Sequence, residues 1–277
     1  MAGKKKDTSL LHHLIGSRSL VWNLAKNDIK KKFAGSYFGV VWAFVQPVIT
    51  VLLYWFVFEK GLNSKATDLR TGIEIPFVLW LTAGLVPWFY FQEALNGGTG
   101  VLVEYSYLVK KVVFQIDMLP VVKMISALFT HLFFVAFTIV LFICMGYMPD
   151  WYALQVIYYS FCMILFATGL VYATSAVTVF FRDMKEVVGI LLQIGMWVTP
   201  IMWNFETMVQ IPGWAITVLK LNPMYYIVSG YRNALINHIG FWEDMGLTVY
   251  FWVVTAVLLF LGTTVFKKLR PHFADVL

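Results

Sequence analysis

The segment at positions 27–49 reads NDIKKKFAGSYFGVVWAFVQPVI and places three consecutive lysines, Lys30, Lys31 and Lys32, just before a long apolar run. A cluster of lysines next to an apolar run of about 20 residues is typical of a membrane span whose start is held at the cytoplasmic surface. The segment therefore predicts an integral membrane protein.

The composition of the whole chain agrees with this prediction. Of its 277 residues, 60% are hydrophobic and 13% are charged, whereas soluble domains average about 45–50% and about 25%. A soluble core of this size cannot hide so much apolar surface. The formal net charge is +6, but the basic residues gather at the ends of apolar runs. We therefore attribute the charge to membrane topology and expect no nucleic-acid partner.

Six stretches have the length and apolar character of membrane spans. They cover about 37–58, 75–95, 119–145, 151–181, 187–203 and 247–266. If the N-terminus is cytoplasmic, 16 of the 21 lysines and arginines fall in inner segments and 5 fall in outer segments. Because basic residues stay on the cytoplasmic side, this bias predicts an all-α, six-span protein with both termini in the cytoplasm.

Residues 18–34 predict an amphipathic helix that lies in the inner membrane interface. At 100° per residue its apolar side chains share one arc and its amines lie opposite, toward lipid phosphates. Leu20 and Leu24 fall outside the apolar arc, so either the pattern is imperfect or a protein partner covers them. The apolar arc consists of Val21, Trp22, Ala25, Ile29 and Phe33, and the opposite face includes Lys26, Lys30 and Lys31.

The predicted outer region at 204–246 contains two apolar stretches that are too short to cross a membrane. Asn222 followed by Pro223 predicts a helix start, with the asparagine as the cap and the proline in the first turn. We favour a re-entrant helical hairpin that protein covers within the outer leaflet. Two surface helices on the outer headgroups are the alternative.

No catalytic motif is present in the sequence. A phosphate-binding GxxxxGK[ST] loop, HExxH and CxxC are all missing, and GGTG at 97–100 is expected to be a flexible exit from the second span. The acidic residues sit near the ends of the spans, which argues against a proton relay. Active transport by this chain would therefore need an external motor, and we expect it to bind no metal or cofactor of its own.

Two further features of the sequence suggest interactions with other molecules. The segment at about 103–114 can form one short helix around Tyr107, Leu108 and Lys111, which would transmit a push between two spans; a plain basic loop is the alternative. Aromatic residues make up 18% of the chain. Their rings suit the C–H face of a sugar, although packing and lipid contact explain many of them.

Four stretches together resemble the ABC-2 type permeases that export cell-surface polysaccharides. The opening segment fits the family's K-x-x-GSxLGxxWxxxxP pattern, and LVKKVVFQIDMLP resembles its coupling-helix region with the basic pair Lys110 and Lys111. VFFRDMKEVVGILLQIGMWVTPIMW resembles the family's fifth span, and LNPMYYIVSGYRNAL its outer hairpin. The matching residues are Lys32, Gly35, Ser36, Gly39, Trp42 and Pro47 in the first stretch, Phe181, Arg182, Asp183 and Pro200 in the third, and Asn222, Pro223, Tyr231 and Arg232 in the fourth.

The resemblance implies a homodimer joined to two cytosolic ABC ATPases, which bind ATP and Mg²⁺. The assembly would move a lipid-linked polysaccharide (O-antigen, capsule or teichoic acid) out of the cytoplasm of a bacterium. In that scheme spans one and five line a channel, the inner lysines attract the lipid phosphate, and the 103–114 segment docks on the ATPase. The implied site residues are Lys26, Lys30, Lys31 and Lys32 for the lipid gate, Tyr37, Trp42, Phe44, Tyr54, Trp88 and Trp197 for the channel, and Tyr107, Leu108, Lys110 and Lys111 for coupling.

The expected organisation is a cytosolic N-terminal part at 1–36, a transmembrane domain at 37–266 and a basic cytosolic tail at 267–277. Two other functions stay open on the sequence alone. One is an ABC-2 exporter of drugs or small lipids, and the other is a membrane channel or scaffold that needs no motor.

Overall fold

The computed structural model describes residues 18–32, 34–110, 115–204 and 212–277. These residues form helices connected by short segments, with one small pair of strands. The α-helices are α1 (Arg18–Lys32), α2 (Trp42–Trp55), α3 (Phe77–Glu104), α4 (Ser106–Val109), α5 (Met118–Cys144), α6 (Gln155–Phe180), α7 (Met184–Val198), α8 (Gly213–Lys220), α9 (Pro223–Arg232), α10 (Met245–Leu269) and α11 (Phe273–Val276).

Four helical segments of the described chain are long and apolar enough to cross a membrane: Gly39–Gly61, Met118–Cys144, Trp151–Phe180 and Met245–Val276. They agree with four of the six predicted spans. The second predicted span falls in α3, which has 28 residues but is interrupted by polar ones, and the fifth falls in α7, which has 15. At 1.5 Å per residue α7 is about 22 Å long, less than the hydrocarbon thickness of about 30 Å. The six-span prediction is thus not confirmed as a whole.

Helix α3 forms the centre of the core. It packs against α5, α6, α7 and α9, and most of its residues are buried. The GGTG segment is part of this helix and not the flexible exit that the sequence predicted. Gly98 lies so close to Val171 of α6 that a Cβ at this position would clash. The neighbouring Thr99 hydroxyl lies 2.8 Å from the Thr174 hydroxyl of α6. This stretch therefore serves helix packing.

Helix α1 packs on α5 of the same chain. Val21 and Ala25 are buried against Met118 and Val122, so part of the apolar arc that was expected to face lipid covers protein instead. Trp22 of the same arc stays 45% exposed. Phe33, the last member of the arc, lies outside the described residues.

At the opposite end of the bundle, which we call the loop end, the chain departs from the all-α prediction. Ala66–Thr67 and Glu74–Ile75 form two short antiparallel strands, β1 and β2. Asp68 closes the turn between them by accepting hydrogen bonds from the Thr71 hydroxyl at 2.6 Å and the Arg70 N–H at 2.8 Å. Burial raises the pKa of Asp68, but these hydrogen bonds together outweigh it, so the pKa lies below its usual value.

The predicted helix start at Asn222 is confirmed. The Asn222 side chain accepts a hydrogen bond from the Met224 N–H, and Pro223 occupies the first helical position of α9. The helix continues as a π-helical turn at Asn233–Asn237. Much of α9 is buried, and it packs on α3 and α6. Residues 205–211 lie outside the described part of the chain, and the re-entrant hairpin as a whole is not confirmed.

Candidate functional site

A polar cavity of about 600 Å³ opens between α1, α2, α3 and α5. We call it the α1 cavity. It lies at the end of the bundle opposite to the strands, next to α4. Charged side chains are concentrated on its wall. Its described lining includes four lysines and three carboxylates, namely Lys31, Lys32, Lys123, Lys185, Asp28, Glu93 and Glu104.

The cavity is polar because several helices turn one hydrophilic face toward the same space. On α3, Gln92, Glu93 and Asn96 follow each other within one turn. On α5, Lys123, Ser126 and Thr130 recur at three- and four-residue spacing, which places them on one side of that helix. Polar residues in apolar helices characteristically face a bundle interior or a water-filled cavity and mark a substrate path.

A buried ion pair connects α1 to α5. The Asp28 carboxylate lies 2.6 Å from the Lys123 amine, and their side chains are only 6% and 13% exposed. The same amine lies 2.8 Å from the carboxylate of Glu104, at the end of α3. Two carboxylates therefore compensate one buried cation, as a charge removed from water requires.

Tyr105 extends this connection to the start of α4. Its hydroxyl donates a hydrogen bond to Asp28 at 2.8 Å. Burial raises the pKa of Tyr105, and the hydrogen bond to the Asp28 carboxylate raises it further, so the hydroxyl stays a donor at neutral pH. The Lys31 amine lies 5.0 Å above the Tyr105 ring, which is within the range of a cation–π contact. Tyr105 thus touches α1 at two points.

The four lysines that the sequence groups as a lipid gate do not share one surface. Lys31 and Lys32 line the α1 cavity, and the Lys32 amine forms a 2.6 Å ion pair with Glu93 of α3. Lys26 lies over the Trp22 ring at 5.2 Å, and neither Lys26 nor the exposed Lys30 lines the cavity. The structure therefore divides the group into an inner pair and an outer pair.

The six predicted channel aromatics are also dispersed within the protomer. Trp88 is 1% exposed, with its ring against Gly195 of α7, so it belongs to the core rather than to an open channel wall. Phe44 packs on Phe133 of α5 with ring centroids 4.2 Å apart. The other four differ in exposure: Tyr37 is 97% exposed and Trp197 58%, whereas Trp42 and Tyr54 are half-buried.

The predicted coupling residues surround the short helix α4. Tyr107 is half-exposed and lies beneath the Lys31 amine at 5.7 Å. Leu108 packs on a small apolar cluster around Val109, and Lys110 is exposed. Lys111 lies outside the described residues. An aromatic and a basic side chain are thus presented together at the α1 end of the bundle.

The predicted outer-hairpin residues fix α9 to the core. The Asn222 amide donates to the Thr199 hydroxyl at 2.8 Å, and the Tyr231 hydroxyl lies 3.1 Å from the His131 ring nitrogen. Arg232 is buried and donates to the carbonyls of Pro200 and Ile201, both at 2.7 Å. These contacts are structural, and they hold α9 against α5 and against the segment that follows α7.

Sequence reasoning missed Asp28, Tyr105 and Lys123, which connect the α1 cavity to α4. A signal for Asp28 was available, because it follows Val21 and Ala25 at helical spacing and so lies on the apolar face of a lysine-rich helix. An acid at such a position predicts a buried cationic partner. Nothing local to Lys123 or Tyr105 distinguishes them from other residues near a span end.

Comparison with known proteins gives a consistent result over nearly the whole chain. A family model described as ABC-2 type transporter matches residues 19–236. The O-antigen export system permease protein RfbA of Myxococcus xanthus is 25% identical over 266 residues, which is 96% of this chain and 98% of that protein. Two proteins of the same name from Klebsiella pneumoniae are 22% and 21% identical over 258 residues, covering 92% of this chain and 93% of each relative.

Proposed function

The chain belongs to the ABC-2 type transporter family, and from this premise we propose that it is the membrane subunit of an ATP-driven exporter of a lipid-linked cell-surface polysaccharide. Its relatives are named as O-antigen export permeases, and the similarity runs from end to end of the chain. That observation carries the proposal. In this scheme ATP and Mg²⁺ bind to a separate cytosolic ATPase, and two permease chains form the transmembrane path in the bacterial inner membrane.

The chemistry of the α1 cavity supports this function. A lipid-linked glycan joins a phosphate or pyrophosphate to sugars, so it needs cations beside neutral hydrogen-bonding groups. The cavity offers Lys31 and Lys32 together with the amides of Gln92 and Asn96. Its volume of about 600 Å³ lies within the range of roughly 300–1,000 Å³ that is usual for ligand sites. We propose that the phosphate and the first sugar enter here.

The division of the four lysines provides a matched test of this role. Replacing Lys31 and Lys32 by glutamine should reduce export of the polymer, whereas the same change at Lys26 and Lys30 should affect it far less. Export is measured as polysaccharide on the cell surface, at equal amounts of permease in the membrane. Equal effects of the two double variants would contradict a headgroup role for the cavity.

We further propose six spans, with α3 and α7 completing the four apolar ones, and both termini in the cytoplasm. The support is the distribution of lysines and arginines and the 28-residue length of α3. The test replaces Cys144 by serine and then introduces single cysteines at Met148, in the exposed loop after α5, or at Ser19 of α1. A membrane-impermeant maleimide should label intact cells carrying Met148→Cys and should label Ser19→Cys only after permeabilisation. The reverse pattern would refute this orientation.

Surfaces that the protomer leaves uncovered support the proposed homodimer and the proposed ATPase contact. Within Gly39–Gly61, only 6% of the residues in the most apolar 18-residue stretch are buried. Helix α7 exposes four large apolar side chains, namely Ile190, Leu191, Ile194 and Trp197. We propose that these helices face the second copy and the polymer, and that α4 docks on the ATPase.

Depletion of the permease should remove the polysaccharide from the cell surface and leave lipid-linked polymer inside. An ABC ATPase should copurify with the tagged chain. A depletion strain with a normal surface polysaccharide would favour an exporter of drugs or small lipids, and the absence of a copurifying ATPase would favour a channel or scaffold.

A further inference from the structure

A second polar cavity lies at the loop end of the bundle, far from the α1 cavity. It has a volume of about 290 Å³ and lies between α3, the end of α7, α9 and the segment before α10. We call it the α9 pocket. Its wall combines aromatic rings with amide, hydroxyl and carboxylate groups, including Trp203, Tyr225, Ser229, Asn233 and Glu243.

The register of α9 explains why this pocket is polar. Tyr225, Ser229 and Asn233 recur every four residues and therefore form one face of the helix and its π-helical continuation. Ile227 and Val228, which point elsewhere, are fully buried in the apolar core. In a chain with 60% hydrophobic residues, a polar face that lines a cavity rather than lipid is characteristic of a substrate path.

The pocket is also held in shape by bonds beneath its surface. Arg232 donates to the Pro200 and Ile201 carbonyls, and its guanidinium lies 3.3 Å from the centre of the Trp80 ring. Asn237 donates to the Asn233 side chain at 2.8 Å. These contacts fix three sides of the pocket before any ligand arrives, which lowers the cost of ordering a binding site.

From these observations we propose that the α9 pocket binds one neutral sugar residue of the polymer at the end of the path opposite to the α1 cavity; this rests on the proposed export function. An aromatic ring covers the apolar face of a sugar. Side-chain amides can donate hydrogen bonds to the sugar hydroxyls and accept from them, and carboxylates can accept from them. Glu243 and Asp244 line the exposed rim and disfavour an anionic ligand. The cation in the described lining, Arg232, already donates to the Pro200 and Ile201 carbonyls, so this pocket suits a neutral ligand better than phosphate. In this role the pocket holds the leading sugar as the chain emerges.

The first experiment measures binding to the full-length purified permease in nanodiscs. The probe is a lipid-free oligosaccharide cut from the surface polysaccharide of the source strain, observed by saturation-transfer-difference NMR. The wild type should bind it, and both Tyr225→Ala and Ser229→Leu should weaken binding by about tenfold, the size of effect expected from one lost ring contact or a filled cavity. Trp214→Ala, which removes an exposed aromatic of α8 outside the pocket, is the control and should bind as the wild type does.

A second measurement serves if those variants fold poorly. Ser229→Cys on a Cys144→Ser background introduces a small change, and the remaining Cys162 is buried. The oligosaccharide should slow alkylation of the introduced thiol, and inorganic phosphate at the same concentration should not.

Several results would overturn the proposal: a wild type that binds no oligosaccharide, pocket variants that bind normally, or alkylation that the sugar leaves unchanged. Failure of the export function itself would show differently, as a depletion strain that still displays its polysaccharide. The two failures are therefore distinguishable.

Discussion

Replacing Asp28 by asparagine should weaken the attachment of α1 to the rest of the bundle. The carboxylate of Asp28 lies 2.6 Å from Lys123 and accepts the Tyr105 hydroxyl at 2.8 Å. Asparagine is nearly the same size and can still accept the hydrogen bond from Tyr105, but it carries no charge. The change therefore removes mainly the ion pair with Lys123.

The expected loss of stability follows from burial. Breaking a buried ion pair costs about 3–5 kcal/mol, because it leaves one charge uncompensated. Here Lys123 keeps a contact with Glu104 at 2.8 Å, and that carboxylate is 49% exposed. The remaining partner reduces the cost, so we expect about 2 kcal/mol for Asp28→Asn, the size of one charged hydrogen bond. Asp28→Ala should cost about 1 kcal/mol more, because Tyr105 then loses its acceptor as well.

The free energy of unfolding can be followed in mixed detergent micelles as the denaturing detergent increases. The exposed pair Lys65–Glu74 has a similar separation of 2.7 Å but side chains that are 60% and 64% exposed. Glu74→Gln is therefore a matched control and should cost less than about 1 kcal/mol. A cycle that combines Asp28→Asn with Lys123→Met should be strongly non-additive, because each change removes the same pair. If Asp28→Asn is no more damaging than Glu74→Gln, or if the cycle is additive, the link between α1 and α5 does not stabilise the fold.

Three further predictions concern the rest of the bundle and use the same unfolding assay unless stated. Gly262→Ala should lower the free energy of unfolding by at least about 2 kcal/mol, because a Cβ there would collide with the backbone of α6. Gly189, which has open space around it, is the control, and Gly189→Ala should be neutral or slightly stabilising. Equal effects of the two changes would contradict the close approach of α6 and α10. Arg232→Lys should destabilise the protein by about 2–3 kcal/mol. The planar guanidinium donates to two carbonyls and covers the Trp80 ring, and a lysine amine cannot make all of these contacts. An unchanged stability would show that the positive charge alone is sufficient. Since the pKa of Asp68 is lowered in the folded protein, its contribution is fully present above the usual carboxyl pKa of about 4 and is lost as the pH falls through the lowered pKa of the folded state. The loss of stability caused by Asp68→Asn should therefore be largest at pH 7 and should shrink as the pH is taken below about 4, and a pH-independent difference would refute this.

The sequence predicts the features that depend on composition and on local signals. Four spans follow from apolar length alone, and the α9 start follows from Asn222 and Pro223, whose capping geometry is local. Trp88 shows where such reasoning ends. An aromatic residue in an apolar helix has no local mark that separates a core position from a channel wall, and only the packing of α3 against α7 buries it.

Ion pairs between residues far apart in the sequence could not be predicted either, because only tertiary packing brings them together. Lys32 and Glu93 are 61 positions apart, and Lys123 and Asp28 are 95 apart. Counting lysines and arginines on each side of the membrane treats every lysine as a separate charge near the surface. Such a count cannot distinguish Lys31 and Lys32, which line the α1 cavity, from Lys26 and Lys30, which do not. The helical phase of α1 against α5 decides this, and tertiary packing sets that phase.

The two cavities also limit where a polymer can pass. Both touch α3, with Trp80 at the α9 pocket and Phe89, Gln92 and Glu93 at the α1 cavity. From Leu81 to Trp88 the helix is buried without interruption, and Leu85, Val86 and Trp88 are at most 2% exposed. Threading sugars through one protomer would require this core to open, at a cost of several kcal/mol for each large side chain displaced. The exposed faces of α2 and α7 need no such opening. This difference in cost supports the proposed path between two copies, in which one cavity would receive the lipid-linked end and the other would meet the polymer as it leaves.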